Sequence, residues 1–585
     1  MEHENPSVRS EPFHSAGFNE GPTPDSTPLD PIPMLTLALP LLFSLPVIQD
    51  PVWDHRFAEH LLNRAGFGSP SAQVDHWVEQ GREALVDHLL KERTGQGTWK
   101  MEATLPSSER LAEMERAERQ IVIKELRRAG EKEATDYVVT WIDQMVEGSD
   151  PLGDRMALFW QGFFTSSLKT VRRGDLMIRQ HEALREEALG NYGSLLETMV
   201  LNPAMLVYLD NNSNRRRKPN ENLARELLEL FSLGEGNYTE KDVKEAARIL
   251  TGHAVNREGG NRFSKKDHDY GRKELLGREG RFEVADLVRI LLEQDACPRW
   301  VAGRLLVWFE GLEPSEERLA NYAEVLRSNN YEMRPFLRTL FMDPEFYRPE
   351  VIGGRVLSPL DYMVGSCRRL GIKPASDYIY FTSGLLGEKA FFPPNVKGWE
   401  GGMSWITTGS LMQRGNLIGV MLGLIKLDDL TSDAELDEML ASADDEEMSM
   451  DQGDPDSMMD QDSMEPSMEG SMGSRRSADL VRAMRSLRNK VNRKKFTPPA
   501  TRLRRTLAMQ MPGSDQELVQ AALRELLAIE PPADTAAGLV EFVRTEREAL
   551  GLSEDRFLRK GGKDAEYILR RLAHLILSLP EAQLG

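Results

Sequence analysis

The chain is short of the features that hold small secreted scaffolds or membrane proteins together. Its 585 residues include only two cysteines, Cys297 and Cys367. Their spacing matches neither a disulfide framework nor a zinc site, and it leaves open whether they pair or stay free. No apolar run reaches the roughly 20 residues of a membrane-spanning helix. Positive charge is also in short supply. Lys and Arg number 73 against 93 Asp and Glu, a net charge of −20, which makes nucleic acid an unlikely main partner. A P-loop, an H-E-x-x-H helix, a G-x-S-x-G elbow and a strand-borne dinucleotide fingerprint are all missing. The chain therefore announces no reaction through a portable motif.

What it does have is helical periodicity over most of its length and 40% apolar residues, enough for a substantial core. The pattern predicts a mostly α protein, a large multi-helical body with long loops and a disordered acidic insert. Residues 1–50 read as a disordered leader. Within them the apolar stretch Met34–Ile48 resembles the hydrophobic part of an export signal, although the flank before it is acidic and no A-x-A cleavage site follows. Residues 51–430 form the helical body. Thr431–Ser474 carries fifteen acids, eight methionines and no Lys or Arg. It buries too little apolar surface to offset its ordering entropy. Residues 475–585 are helical again, behind a basic start, and pack on the body.

Within the body, Val52–Leu90 reads as two helices and Ser107–Val146 as a charged helical run with Met114, Ile121, Ile123, Leu126, Tyr137 and Trp141 buried. MALFWQGFF, starting at Met156, is apolar nearly all round and so belongs in the core. LLETMVLNPAM, FLRTLFMDPEF and LAHLILSLPEA each place an apolar helical run just before X-Pro, where a helix must stop. Asn256–Gly280 reads as a loop or short hairpin.

The densest signals lie between Asn202 and His253. Leu223, Leu227 and Leu230 recur at helical spacing behind a cap at Asn220, and Thr239 with Asp242 forms a capping-box pattern for a second helix. The result is an αα-hairpin preceded by the loop DNNSNRRRKPN. Its polar residues support two readings. In one, Asp210, Asn214, Asn220, Asn222, Arg225, Glu226 and Glu229 form a structural network, with Arg225 pairing Glu221 and Glu229 along the helix. In the other they face a pocket, offering oxygen ligands to a hard divalent cation or a carboxylate general base. The basic run Arg215–Lys218 is either a solvated loop or an anion site.

Three further pieces join this list. His268 and Asp269 form a pair able to ligate a metal or orient a base, or simply a turn. Lys273 is a candidate contact for a phosphate or carboxylate. Trp399 and Trp405 sit in a loop rich in Gly, Pro and Trp that either covers a cleft or is stapled to the core; Arg414 follows it.

Several ordered stretches carry a family resemblance: HLLNRAGFG from His60, MALFWQGFFTSS from Met156, IRQHEALREEALGNY from Ile178, the hairpin itself, HDYGRKELLG from His268 and PPNVKGWEGGMSWITTGSLMQRGN from Pro393. Over roughly Asp54–Ile418, and more weakly beyond, the chain resembles the bacterial family called domain of unknown function 1800. Where that family often reads F-W-H-x-H-F, this chain has Gln161 and Phe163, and it has His253 where Trp often follows T-G. The resemblance implies a fold and, because members often carry export signals, an extracytoplasmic setting at the periplasm or cell surface; a cytoplasmic one is the alternative. It implies no activity.

The leading expectation is an exported protein with a polar pocket, hydrolytic or metal-dependent, acting on an extracytoplasmic substrate such as a polymer. Glu226 would be the base or metal ligand, Asp210 the second carboxylate and Arg225 the orienting cation. The rival is a non-catalytic binding or assembly protein that works with another exported protein. Convergence of Asp210, Glu226, His268 and Trp399 on one concave site separates the two.

Overall fold

Capping residues and prolines set most helix starts. Asp54 accepts a hydrogen bond from the Phe57 N–H and opens helix His55–Arg64, and Asp150 with Pro151 opens Pro151–Phe163. Ser358 with Pro359 does the same for Pro359–Leu370. The three apolar runs that end in X-Pro behave alike. Helices Tyr192–Val200, Met333–Met342 and Gly562–Leu577 stop, and Pro203, Pro344 and Pro580 each open a new helical turn.

The computed structural model describes residues 52–91, 99–101, 114–256, 258–374, 376–426, 501–554, 557–558 and 562–585. The leader with Met34–Ile48, the acidic stretch Thr431–Ser474 and the basic run after it lie outside the described residues. The described residues are mostly helical, and their sheet consists of two short antiparallel hairpins. One pairs His253–Val255 with Asn261–Phe263, the other Lys273–Leu275 with Arg278–Gly280. Among them no helix is long and apolar enough to cross a membrane.

Val52–Leu90 differs from its expected two helices. It forms three, because Gly81 at φ 89° interrupts the second. In the long helix Arg116–Glu147 the core contacts begin late. Tyr137 and Trp141 are buried as expected, but Ile121 is 59% exposed, so the first turns stand clear of the core.

Two apolar cores form. The first gathers Leu61, Leu196, Leu227, Leu250, Leu305 and Phe336. The second gathers Trp141, Met363, Ile418, Leu518 and Ile568. Helix Pro151–Phe163 serves both, giving Met156, Phe159, Trp160 and Phe163 to the first and Ala157 and Leu158 to the second. That explains its apolar character on every side. The cysteines are free and buried, Cys297 in the first core and Cys367 in the second. Burial pushes the Cys297 thiol up to about 12.

A buried charged seam lies where the cores meet. Trp308 packs on both cores, and the Arg155 and Arg355 guanidiniums lie 5.8 and 5.1 Å from its ring centre. Arg155 Nη1 donates to Asp361 Oδ1 at 2.5 Å, and Arg155 Nε to the Gly66 carbonyl at 2.9 Å. Arg355 donates to the other Asp361 oxygen. Burial alone would raise the Asp361 carboxyl, but the two guanidiniums outweigh it and hold the group below the ordinary carboxylate range.

Candidate functional site

The αα-hairpin forms as its caps dictate. Thr239 and Asp242 complete the capping box of helix Glu240–Ile249, and helix Asn222–Glu229 buries Leu223, Ala224, Leu227 and Leu228. Asn220 lies one residue before the cap position, where its Oδ1 accepts from the Asn222 N–H at 3.0 Å. The asparagines before it fold the loop. Asn214, 2% exposed, donates to Asn211 Oδ1 at 3.0 Å and to the Ala247 carbonyl at 2.9 Å, while its own Oδ1 accepts from the Asn220 N–H. Asp210, in the left-handed region at φ 55°, accepts from Ser213 Oγ and Asn220 Nδ2, each at 3.0 Å. Asn211 reaches the Leu250 and His253 carbonyls. These side chains satisfy backbone that no helix or sheet serves. Asn222 is exposed.

The charged residues of helix Asn222–Glu229 divide. Arg225 turns outward to Glu240 (2.6 Å) and Glu221 (3.4 Å), not to Glu229. Glu229 accepts from the Tyr238 hydroxyl at 3.1 Å and lines a cleft of about 220 Å³. Burial, together with a carboxylate neighbour, pushes the Tyr238 hydroxyl up to about 12. Glu226 is half-buried beside it. Burial raises its carboxyl, the Glu229 charge adds to the rise, and Lys397 and Arg225 oppose it.

The cleft has three walls. Glu229, Leu230 and Glu235 come from the hairpin, Trp300 and Arg304 from helix Ala296–Glu310, and Gly162 and Phe163 from the end of the central helix. Val396 and Lys397 close it from the Pro- and Gly-rich loop. That loop reaches the central helix because Gly398, at φ 81°, lies so close that a Cβ there would meet the Gly162 carbonyl at 2.6 Å. Trp300 is fixed by its Nε1 bond to the Leu230 carbonyl at 2.8 Å, and the Arg304 guanidinium sits 5.9 Å from its ring centre. One residue before this wall, Gln161 is 7% exposed and neither of its amide atoms has a partner among the described residues.

The remaining candidates lie elsewhere. His268 is buried, with Nδ1 2.8 Å from the Thr251 carbonyl and its ring packed on Phe263 and Tyr270. Asp269 pairs with Arg248 at 2.7 Å. Lys273 is buried, its Nζ donating to the Asp269 and Gly271 carbonyls at 2.5 and 3.3 Å, and burial lowers its pKa. Trp399 is half-buried with Nε1 unpartnered among the described residues, and Trp405 packs near Gly387. Arg414 is fully buried, donating to Gln583 Oε1 and the Leu357 carbonyl at 3.0 Å each. Of the sequence candidates the structure thus brings Glu229 to the cleft, with Glu226 one helical turn away on the same helix, along with two residues of the tryptophan loop other than its tryptophans. Asp210, His268 and Trp399 are not among the cleft's lining residues.

Sequence reasoning missed Glu235, Trp300, Arg304 and Lys397 as site residues. Lys397 lay inside a family-like stretch, whereas Arg304 carried no signal. Among the described residues no group of three or more His, Cys, Asp or Glu side chains is placed to hold a metal ion.

No curated protein and no solved structure matches the chain. A family model described as "Protein of unknown function (DUF1800)" matches residues 60–584. The match runs through the C-terminal helices that complete the second core, well past the stretch where the motifs are dense. The chain belongs to this family.

Proposed function

We propose that the protein is a binding component of an extracytoplasmic assembly, and that its cleft receives one small polar group presented by a larger partner. The observation that carries this reading is the division of labour among the polar residues. Asp210, Asn214, Asn220, Arg225, His268, Asp269 and Lys273 each have identified partners within the fold. Glu229, Glu235, Arg304 and Lys397 line a cleft. Its volume suits a single side chain or sugar ring and falls below the usual size of a pocket that encloses a whole small molecule, about 300–1,000 Å³. Two acids and two bases beside the indole of Trp300 favour a group bearing both charges or many hydroxyls. Export rests on Met34–Ile48 and on the habit of the family.

A second reading keeps one supporting observation. Glu226 and Glu229 stand one helical turn apart, and burial with mutual repulsion raises Glu226, the condition a carboxylate needs to act as acid or base near neutral pH. Hydrolysis through Glu226 is that reading.

Both are tested by melting-curve screening of free amino acids, dipeptides and monosaccharides against the wild type, Glu229→Gln and Lys397→Gln. A probe that raises the wild-type melting temperature and loses its effect in both variants supports the cleft. A shift that survives in both variants refutes it. Turnover of that probe, lost in Glu226→Gln, would move the assignment to the enzyme.

A further inference from the structure

Several arginines at the surface of this protein sit against acids. Arg225 meets Glu240, Arg248 meets Asp269, Arg289 meets Glu293, Arg299 meets Glu316 and Arg338 meets Asp87. Two neighbouring loops instead gather several cations that have no such partner among the described residues. One is Arg215–Lys218; the other runs from Arg262 to Lys266. The backbone ties them together, since the Arg216 N–H donates to the Asp267 carbonyl at 2.7 Å. All four residues of the first loop, with Arg262, Lys265 and Lys266 of the second, are exposed. Among the described residues none of their side chains forms an ion pair or hydrogen bond.

A single carboxylate, Asp267, sits among them. Its pKa is lowered first by the Ser264 hydroxyl, which donates to it at 2.7 Å, and also by the fields of Arg215, Lys266 and Arg262. Cations from both loops thus act on one carboxylate, that of the residue whose backbone carbonyl accepts from the Arg216 N–H. Seven cations around one acid, on a chain of net charge −20, are a local reversal of sign. Among the described residues Asp267 is the one acid shown to feel these cations, and such a field concentrates anions at the surface.

The same surface carries two half-exposed rings. Phe263 is 43% and Tyr270 51% exposed, and both pack edge-on against the buried His268 ring, with centroids 5.1 and 4.6 Å away. His268 thus holds the rings in place instead of acting as a ligand. Phe263 follows Arg262 directly and offers nothing to a carboxylate or phosphate. An exposed apolar ring on the same short strand as Arg262 suits the boundary between lipid headgroups and acyl chains, where aromatic residues collect.

We propose that the surface formed by Arg215–Lys218 and Arg262–Lys266, with Phe263 and Tyr270, docks on anionic lipid headgroups. The cations meet headgroup phosphates and the rings enter the interface. This site is separate from the cleft and does not depend on how the cleft is used.

The full-length protein is sedimented with vesicles of phosphatidylglycerol mixed into phosphatidylcholine, and with phosphatidylcholine alone. Binding is expected only where phosphatidylglycerol is present, and it should weaken as salt shortens the Debye length. The quadruple change Arg215→Gln, Arg216→Gln, Arg217→Gln and Lys218→Gln should lower partitioning by about a hundredfold or more. Phe263→Ser should weaken binding while leaving its salt dependence. The control replaces four paired, partly or fully exposed arginines by glutamine, Arg289, Arg299, Arg327 and Arg338. It makes the same change in net charge and should bind like the wild type. Circular dichroism confirms that each variant is folded. The proposal is overturned if folded wild type ignores the anionic vesicles, if the control loses as much as the loop variant, or if the loops retain heparin or DNA but no vesicle.

Discussion

Asp361→Asn is expected to destabilise the protein by about 3–5 kcal/mol at pH 7, the cost of leaving a buried charge without its partner. The carboxylate is 2% exposed and accepts from both Arg155 and Arg355, so its loss strands two guanidiniums rather than one. Among the described residues neither has another acid at hydrogen-bonding distance. Arg155 keeps its bonds to the Gly66 carbonyl, which place it but do not neutralise it. The asparagine preserves shape and one acceptor oxygen, so the measured difference reports charge and not a cavity. The assay is guanidinium unfolding followed by tryptophan fluorescence, with Trp308 lying against both guanidiniums as a reporter of the seam. The pH dependence supplies an internal check. The folded Asp361 pKa is depressed, so its contribution is present above the unfolded value, about 4, and disappears as pH falls through the folded value. The gap between wild type and Asp361→Asn should therefore be widest near neutrality and close in acid. A loss below about 1 kcal/mol at pH 7, or a gap that does not narrow with acid, would refute the assignment of this seam as a charge-balanced joint.

Two further changes probe the same architecture. Burial, and next the Asp361 charge, raise the Glu388 carboxyl to about 7. A raised folded pKa means that the folded state holds the proton more tightly, so wild-type stability should decline as pH rises from about 4.5 to 7. Glu388→Gln, which keeps an acceptor for the Leu360 N–H, should remove that decline and exceed the wild type at pH 8 by up to roughly 3 kcal/mol; a variant less stable than wild type at pH 8 would contradict this. Gly174→Ala tests the crossing of helices Arg116–Glu147 and Gly174–Glu186, where a Cβ would fall 1.9 Å from the Gly130 carbonyl. Because backbone is what it meets, the change should cost about 1–3 kcal/mol by overpacking, and an unaltered melting temperature would show that the two helices separate freely.

What could be read from the sequence was local chemistry. The capping box at Thr239 and Asp242, the proline at the start of Pro151–Phe163 and the three X-Pro helix ends each involve residues within a few positions of one another. The all-apolar character of MALFWQGFF likewise placed that helix inside the core. What could not be read was assembled across the chain. Asp361 lies 206 residues from Arg155, and no periodicity marks a position where a buried ion pair will close. Lys273 read as a candidate contact for a phosphate or carboxylate because lysine is almost always exposed, yet the loop folds its carbonyls around the ammonium. Ile121 looked buried because helical spacing cannot tell which turns of a long helix reach the core.

The candidate site divides along the same line, and the reason lies in what asparagine and aspartate can do. Their side chains are equally suited to bonding nearby backbone and to holding a ligand. The DNNSN loop therefore supported both a structural and a binding reading, and its side chains mostly complete their own turn. Glu229, an acid on the adjacent helix, instead lines a cleft whose other walls come from positions near 162, 300 and 397. Sequence supplies the inventory of polar groups; only the fold shows which have been satisfied. A buried polar group left without a partner costs about 1–3 kcal/mol, so the unspent ones are informative. By that measure Gln161, buried beside Gly162 and Phe163 with both amide atoms free among the described residues, marks the cleft wall more strongly than Asp210 or His268. It stands where the family pattern often has histidine, so a departure from the pattern and an unsatisfied amide fall on the same residue.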